Sequence, residues 1–214
     1  MSIMNLLESI LFPSSLLNGF ILAIFFTTIT LYILLKIYEE NYQFTRKEKI
    51  TTFLLSFLFM IVGVVAINHY IPIIVWALLA FQFATDRKYM ELPDGVNLTI
   101  ALFSIFSIIH NWGDYGFLQS GIVTGIILFL FFLLLSFLGQ MGGGDIKMMG
   151  AIGLYFTLWE IPALLVYCFL IGAIHGIGIM IAERKVEDVV FAFGPALILG
   201  VLTTAWLQGG MAHV

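Results

Sequence analysis

Charge is scarce in this chain. Nine Lys and Arg and thirteen Asp and Glu are spread over 214 residues, so 10% of side chains are charged and 61% are hydrophobic. A soluble domain carries about 25% charged residues and about 45–50% apolar ones. Mean hydropathy is +1.08. This composition excludes a water-soluble globular fold and a disordered chain, and leaves one that uses the bilayer as its solvent. Cysteine is almost absent. Cys168 stands alone in an apolar run, which excludes an internal disulfide, a Cys-rich zinc module and a paired redox motif. No block of basic residues accompanies the net charge of −4, which argues against a nucleic-acid partner. The first residues contain no Lys or Arg and no small-x-small cleavage signal. The apolar stretch after them is longer than a signal-peptide core and reads as a retained first helix.

What is present is a series of apolar stretches, near 16–36, 51–67, 71–85, 96–109, 121–138, 146–158, 161–182 and 190–207. Backbone groups find no water in hydrocarbon, so such stretches must be helices or a closed barrel. They lack the in/out alternation of barrel strands. The expectation is an all-α, polytopic membrane bundle of about eight transmembrane helices, forming one domain over 1–214. The cations test the topology. Lys36, Arg46, Lys47, Lys49, Arg87, Lys88, Lys147, Arg184 and Lys185 all fall in or beside every second connection, and the opposite connections hold none. Short loops rich in Lys and Arg stay cytoplasmic, so both termini are expected on the outer face. Three stretches, 71–85, 96–109 and 146–158, are short for a core of about 30 Å. All three border the same two cytoplasmic connections.

Those connections hold two acidic motifs. The first runs from Phe81 through Asp86 to Leu92, Pro93 and Asp94. Asp86 lies where an apolar helix reaches the cytoplasm, and Gln82 shares its face one turn earlier. Taken alone, Asp86 reads as an interfacial carboxylate paired with Arg87 or Lys88, and Asp94 as a helix N-cap. The second motif is Gly142-Gly143-Gly144-Asp145-Ile146-Lys147. Consecutive glycines leave the backbone free to take positive φ or to pass close to another segment. Asp145 reads locally as another cap, and Lys147, two residues on, as a cation snorkelling to the headgroups. Ionisable groups at membrane depth are costly and mark function. Two carboxylates brought together cannot both ionise and so share a proton. One then acts as base on a water while the other, protonated, polarises a carbonyl. No Ser/His/Asp spacing suggests a triad, and no His/Cys cluster suggests a metal site.

Gly142-Gly143-Gly144-Asp145 fits the G-x-G-D motif of membrane aspartic proteases, and within them the chain most resembles the type IV prepilin peptidases. Asp86 followed by Leu92-Pro93-Asp94 resembles that family's first aspartate segment, and Gly144-Asp145-Ile146-Lys147 its second. Phe191-Ala192-Phe193-Gly194-Pro195 resembles its late P-F-G-P helix start, with Ala192 in place of the first proline. The likeness covers about 70–205, the expected catalytic core. It implies an aspartic endopeptidase of the inner membrane, its site facing the cytoplasm, with Asp86 and Asp145 as the catalytic pair and no cofactor. The implied substrate is a prepilin or pilin-like secretion protein that loses a short basic leader just before its apolar helix. Glu39, Glu40, Glu48, Glu91, Asp94, Glu183, Glu187 and Asp188 offer acids on that side, or are ordinary solvated loop charge. Larger members carry a Cys-paired insertion after the first helix and methylate the new N-terminus. Here Tyr38 to Ile50 is short and lacks Cys. A zinc site there is excluded. The missing insertion counts against methyltransferase activity, as does the lack of a Gly-rich S-adenosylmethionine loop.

Two other readings compete. Presenilin and signal-peptide-peptidase relatives also use G-x-G-D and a late Pro-Ala-Leu, present here as Pro195-Ala196-Leu197. Short Gly-broken helices with membrane carboxylates also suit a small transporter, though no internal repeat is visible. Other features read as structural. Gly121/Gly125 and Gly172/Gly176 suit close helix contacts, and His175 suits a packed, hydrogen-bonded position. Ile126 to Leu138 suits a lipid-facing run. Trp112, Trp159 and Trp206 suit an aromatic belt, and Pro195 a first helical turn.

Overall fold

The computed structural model describes residues 16–65, 71–110, 115–138, 141–184 and 191–211. Among them no residue lies in a strand. Eight α-helices follow one another: α1 Leu16–Ile37, α2 Arg46–Val65, α3 Ile73–Tyr89, α4 Asp94–His110, α5 Tyr115–Phe137, α6 Gly143–Gly153, α7 Ile161–Glu183 and α8 Gly194–Met211. A 3-10 turn, Leu158–Glu160, joins α6 to α7. Every expected apolar stretch holds a helix, so the all-α reading stands.

The ends differ from expectation for local reasons. α2 starts at Arg46, earlier than its apolar stretch, because Thr45 and Glu48 form a reciprocal cap. The Thr45 N–H donates to Glu48 Oε2 at 2.7 Å, and the Glu48 N–H donates to Thr45 Oγ1 at 3.3 Å. Thr-x-x-Glu is a capping-box signature, legible in the sequence but not weighed there. α3 runs on through its polar end to Tyr89, with Arg87 and Lys88 in the last turn, where cations suit the helix dipole. α6 stops at Gly153, short of the expected 158, and spans only about 16 Å at 1.5 Å per residue.

α3 and α6 form the interior. α3 packs against α1, α2, α4 and α8, and Val75 through Phe81 are all buried. A helix apolar on every side belongs inside. α6 packs on α5 and α4. Its approach to α5 needs small residues: a Cβ on Gly153 would stand 2.9 Å from Gly125 Cα, and one on Gly121 2.7 Å from the Leu154 carbonyl. The Gly121/Gly125 expectation holds.

The Gly172/Gly176 expectation changes. Those glycines receive the rings of Phe193 and Phe191, not another helix backbone. His175 is also not packed inside. It is exposed on α7 and meets the Phe191 ring edge-on at 5.6 Å.

α5 and α7 turn apolar faces outward. Ile126, Ile127, Leu130, Leu134 and Phe137 are exposed on α5, while Leu128 and Phe132 of the same run face inward. Val166, Leu170, Ile174, Ile177 and Ile181 are exposed on α7. Among the described residues, two stretches, Ser120–Phe137 and Leu158–Glu183, are long and apolar enough to cross a membrane. Trp159 and Trp206 are exposed. Glu8, Trp112, Asp114, Lys185, Glu187 and Asp188 lie outside the described residues, as does the N-terminal stretch before Leu16.

Candidate active site

Asp86 sits in the last full turn of α3 and is 6% exposed. It does not pair with Arg87 or Lys88. Lys88 reaches Glu48 at 2.7 Å and the Gln43 carbonyl at 2.8 Å instead. Asp86 turns inward, where its Oδ2 accepts the Gly194 N–H at 2.9 Å. Gly194 is the first residue of α8, and a helix N-terminus supplies both a free N–H and a positive dipole end to a carboxylate. A Cβ on Gly194 would lie 2.6 Å from that oxygen. Pro195 follows in the first turn, as expected, where its missing N–H leaves no helix bond unmade.

The backbone of Asp86 also ends its helix. Its carbonyl accepts the Met90 N–H at 2.8 Å, with Met90 left-handed at φ 54.

Asp145 is 9% exposed and is the third residue of α6. It is not the N-cap. Gly142 holds that position with extended backbone, φ −74 and ψ 150. The Asp145 side chain reaches back and accepts the Gly142 N–H at 3.3 Å. Its other oxygen, Oδ1, is buried and has no hydrogen-bond partner among the described residues.

The glycine run works by close approach and not by positive φ, which none of the three adopts. A Cβ on Gly144 would stand 2.8 Å from Leu92 Cβ, whereas one on Gly143 would meet nothing within 4 Å. Gly144 therefore lets the start of α6 lie against the Leu92-Pro93 segment, which follows α3. Pro93 is buried there and its carbonyl caps α4, accepting the Val96 and Asn97 N–H groups at 3.0 and 3.1 Å.

The result is two buried carboxyl groups, one in the last turn of α3 and one in the first turn of α6, where the start of α6 lies against the segment that follows α3. Asp94 and Lys147 stand apart from them at the exposed rim. Lys147 Nζ contacts both Asp94 oxygens, at 2.7 and 2.8 Å, so Lys147 is an ion-pair partner and not a free snorkelling cation. Asp94, the first residue of α4, spends its side chain on that pair and not on capping.

Two buried amides complete the surroundings, and sequence reading left Asn97 unremarked. Gln82 Nε2 donates to Asn97 Oδ1, and Asn97 Nδ2 donates to the Gly144 carbonyl at 3.4 Å. The available signal was Asn97 itself, an amide one turn inside an apolar helix.

Three of the acids considered for a basic leader already hold lysines: Glu39 with Lys49, Glu48 with Lys88 and Asp94 with Lys147. Among the described residues, no group of His, Cys, Asp and Glu could hold a metal ion.

An open apolar groove of about 680 Å³ lies between α4, α5 and α6, lined by Lys147, Gly150 and Ala151 of α6 and by Leu154 just after it. Those residues are spaced along one helix face. Asp145 shares the opposite face with the buried Met148, Met149 and Ile152. The groove and the carboxyl pair are therefore on different sides of α6.

The sequence profile of the type IV leader peptidase family matches residues 71–177, which carry both aspartates. The chain belongs to the type IV leader peptidase family. The prepilin leader peptidase/N-methyltransferase of Aeromonas salmonicida is 29% identical over 140 residues, covering 63% of this chain and 48% of that protein. The protein of the same name from Bacillus subtilis is 26% identical over 139 residues, covering 62% and 53%. That from Legionella pneumophila is 29% identical over 140 residues, covering 62% and 48%. The chain thus spans about half the length of the curated relatives it matches. No solved structure matches. Gly194, which holds Asp86, lies beyond residues 71–177 and is brought to them by the fold.

Proposed function

We propose that this leader peptidase is a membrane-embedded aspartic endopeptidase. It removes a short basic leader from a type IV prepilin or pilin-like secretion protein at the cytoplasmic membrane face. The observation that carries the reading is the burial of both Asp86 and Asp145, one in the last turn of α3 and the other in the first turn of α6, with a hydrogen-bonded chain from Gln82 through Asn97 to the Gly144 carbonyl joining those two turns. Family membership supplies the protease class and leaves the presenilin-like and transporter readings without support.

The chemistry needs one proton between two carboxyls. Asp86, with one oxygen held by the Gly194 N–H, is suited to carry the negative charge, because such a bond is stronger to an ionised acceptor. It takes a proton from a water whose oxygen attacks the scissile carbonyl carbon. Asp145, protonated, donates through its unpartnered oxygen to the carbonyl oxygen. The tetrahedral diol then collapses. One diol hydroxyl returns its proton to the ionised Asp145 as the carbonyl re-forms and the C–N bond breaks, the leaving nitrogen takes the proton that Asp86 holds, and the leader departs with a new carboxyl terminus while the pair keeps one shared proton.

The membrane placement is supported by the outward apolar faces of α5 and α7. Contiguous apolar faces of this kind are what a membrane or partner covers. The described cations occur at alternate helix junctions. Lys36 ends α1, Arg46 starts α2, Arg87 and Lys88 end α3, and Arg184 follows α7. Those junctions are the end of the bundle that holds the aspartates, and the loop rule makes it cytoplasmic.

Co-expression with a prepilin-like substrate bearing a basic leader tests the proposal. Wild type shortens the substrate on a gel, and Asp86→Asn and Asp145→Asn do not. Normal cleavage by either Asn variant removes the dyad.

A further inference from the structure

Gln82, Asn97 and the Gly144 carbonyl form a polar chain through an apolar interior. Gln82 is fully buried and Asn97 is 3% exposed. Gln82 lies four residues before Asp86 on the same face of α3. Its amide nitrogen donates to Asn97 of α4, and the Asn97 amide nitrogen donates to the peptide carbonyl immediately before Asp145. The chain therefore starts one turn from one aspartate and ends on the backbone of the other. It passes through the helix that packs against both α3 and α6. Burying two amides is costly, and the cost grows if any group is left unmet. Gln82 Oε1 is such a group, buried with no hydrogen-bond partner among the described residues. An apolar pair would fill the same space without that cost.

We propose that Gln82 and Asn97 are positioning residues that set the separation of Asp86 and Asp145, and with it the sharing of one proton between them. The bridge ties the first turn of α6, through Asn97 of α4, to the turn of α3 before Asp86. Without it, α6 is held at this end by the Gly144–Leu92 approach and by the rim pair Lys147–Asp94. Further along, the Ser104 hydroxyl of α4 donates to the Ala151 carbonyl at 2.8 Å, so loss of the bridge falls on the first turn, which carries Asp145. A longer separation weakens the interaction between the carboxyls, so the two apparent pKa values of the pair move toward each other. Among ionisable groups on the packed elements, Asp94 and Lys147 are neutralised by each other at the exposed rim. The Tyr38 hydroxyl lies beside Gly95. None of these three is altered by the substitutions below.

This inference rests on the dyad reading, and the experiment separates the two. Cleavage of the basic-leader substrate is followed across pH, with thermal stability, for Gln82→Met, Asn97→Leu and the double variant. Asp86→Asn and Asp145→Asn serve as controls. Each single change strands a buried partner and is expected to lower the melting temperature. The double change removes both polar groups in nearly the same volume and is expected to recover it.

If the bridge positions the aspartates, the double variant stays about tenfold or more below wild type in kcat with KM unchanged. Its pH profile is also narrowed, on the acid limb, the basic limb or both. If the double variant regains both stability and the wild-type profile, the bridge is only packing and the proposal fails. Should the double variant not accumulate, the same kcat and pH-profile readings on Gln82→Met decide by the same criteria. Active Asn controls would overturn the dyad itself. Inactive controls beside a wild-type profile in the bridge variants would overturn this inference alone.

Discussion

The Gly194 N–H donates to Asp86 Oδ2 at 2.9 Å, across 108 residues of sequence, and a side chain on Gly194 would occupy the space of that same carboxylate. One glycine thus supplies a charge-stabilising donor and the room for the group it stabilises.

Gly194→Ala is therefore expected to displace the Asp86 carboxyl and lower kcat for leader cleavage by about 100-fold, the scale of a 1 Å misplacement at a reacting group. The protein should still fold, since alanine suits a first helical turn. Cleavage rates of purified variants check this, and a Gly194→Ala rate within threefold of wild type would remove the steric argument.

The glycines before Asp145 should sort by their neighbours. Gly143→Ala, with nothing within 4 Å, is expected to cleave and melt like wild type. Gly144→Ala drives a methyl into Leu92 and should lose both stability, by about 1–3 kcal/mol, and activity. Equal behaviour of the two variants would contradict the packing of α6 on the Leu92-Pro93 segment.

A proton-sharing pair gives a bell-shaped dependence of cleavage on pH, with two apparent pKa values belonging to the pair. The acid limb is loss of the base and the basic limb is loss of the acid. A flat profile from acid to neutral pH would exclude the shared proton.

The Lys147–Asp94 pair is short but exposed, with side chains 52% and 71% accessible. Exposed ion pairs contribute about 0–1 kcal/mol and are screened by salt. Lys147→Ala is expected to cost no more than that, with the difference from wild type shrinking at high salt. A larger, salt-independent loss would assign Lys147 a role in the reaction.

Glu48 receives Lys88 and the Thr45 N–H, which together hold its carboxyl well down, to about 2, against an ordinary 4.5. A group whose folded value is lowered contributes stability above its unfolded value and loses it as pH falls toward the folded one. The advantage of wild type over Glu48→Gln should be constant above about pH 5 and fade between 4.5 and 2. Melting temperatures of the two proteins against pH test this, and a gap that widens on acidification would reverse the assignment.

Much of the fold was legible before any coordinates, because continuous apolar runs and the placement of cations are one-dimensional facts. Each run holds a helix. The ends were less legible: the Thr45–Glu48 cap starts α2 early, and the 11 residues of α6 end before the apolar composition does. The candidate pair was legible too, since Asp86 and Asp145 each interrupt apolar sequence at a helix end. Their partners were not. Local rules assigned Asp86 to Arg87 or Lys88, Asp94 and Asp145 to caps, Lys147 to headgroups and His175 to the interior. Asp145 yielded to a contact with Gly142, three residues earlier, and the others to contacts made by distant segments.

The sequence by itself determined a helical chain with its charges sorted to alternate connections and two aspartates at helix ends. Periodicity and charge order do not depend on which helices touch. Only the tertiary structure decided that Gly194 holds Asp86, that Lys147 is tied to Asp94, and that Gln82 and Asn97 join the two acid-bearing helices. Those pairings lie 15 to 108 residues apart. They depend on how α3, α4, α6 and α8 pack, because a hydrogen bond or ion pair needs its two groups within about 3 Å, a condition set in space and not along the chain.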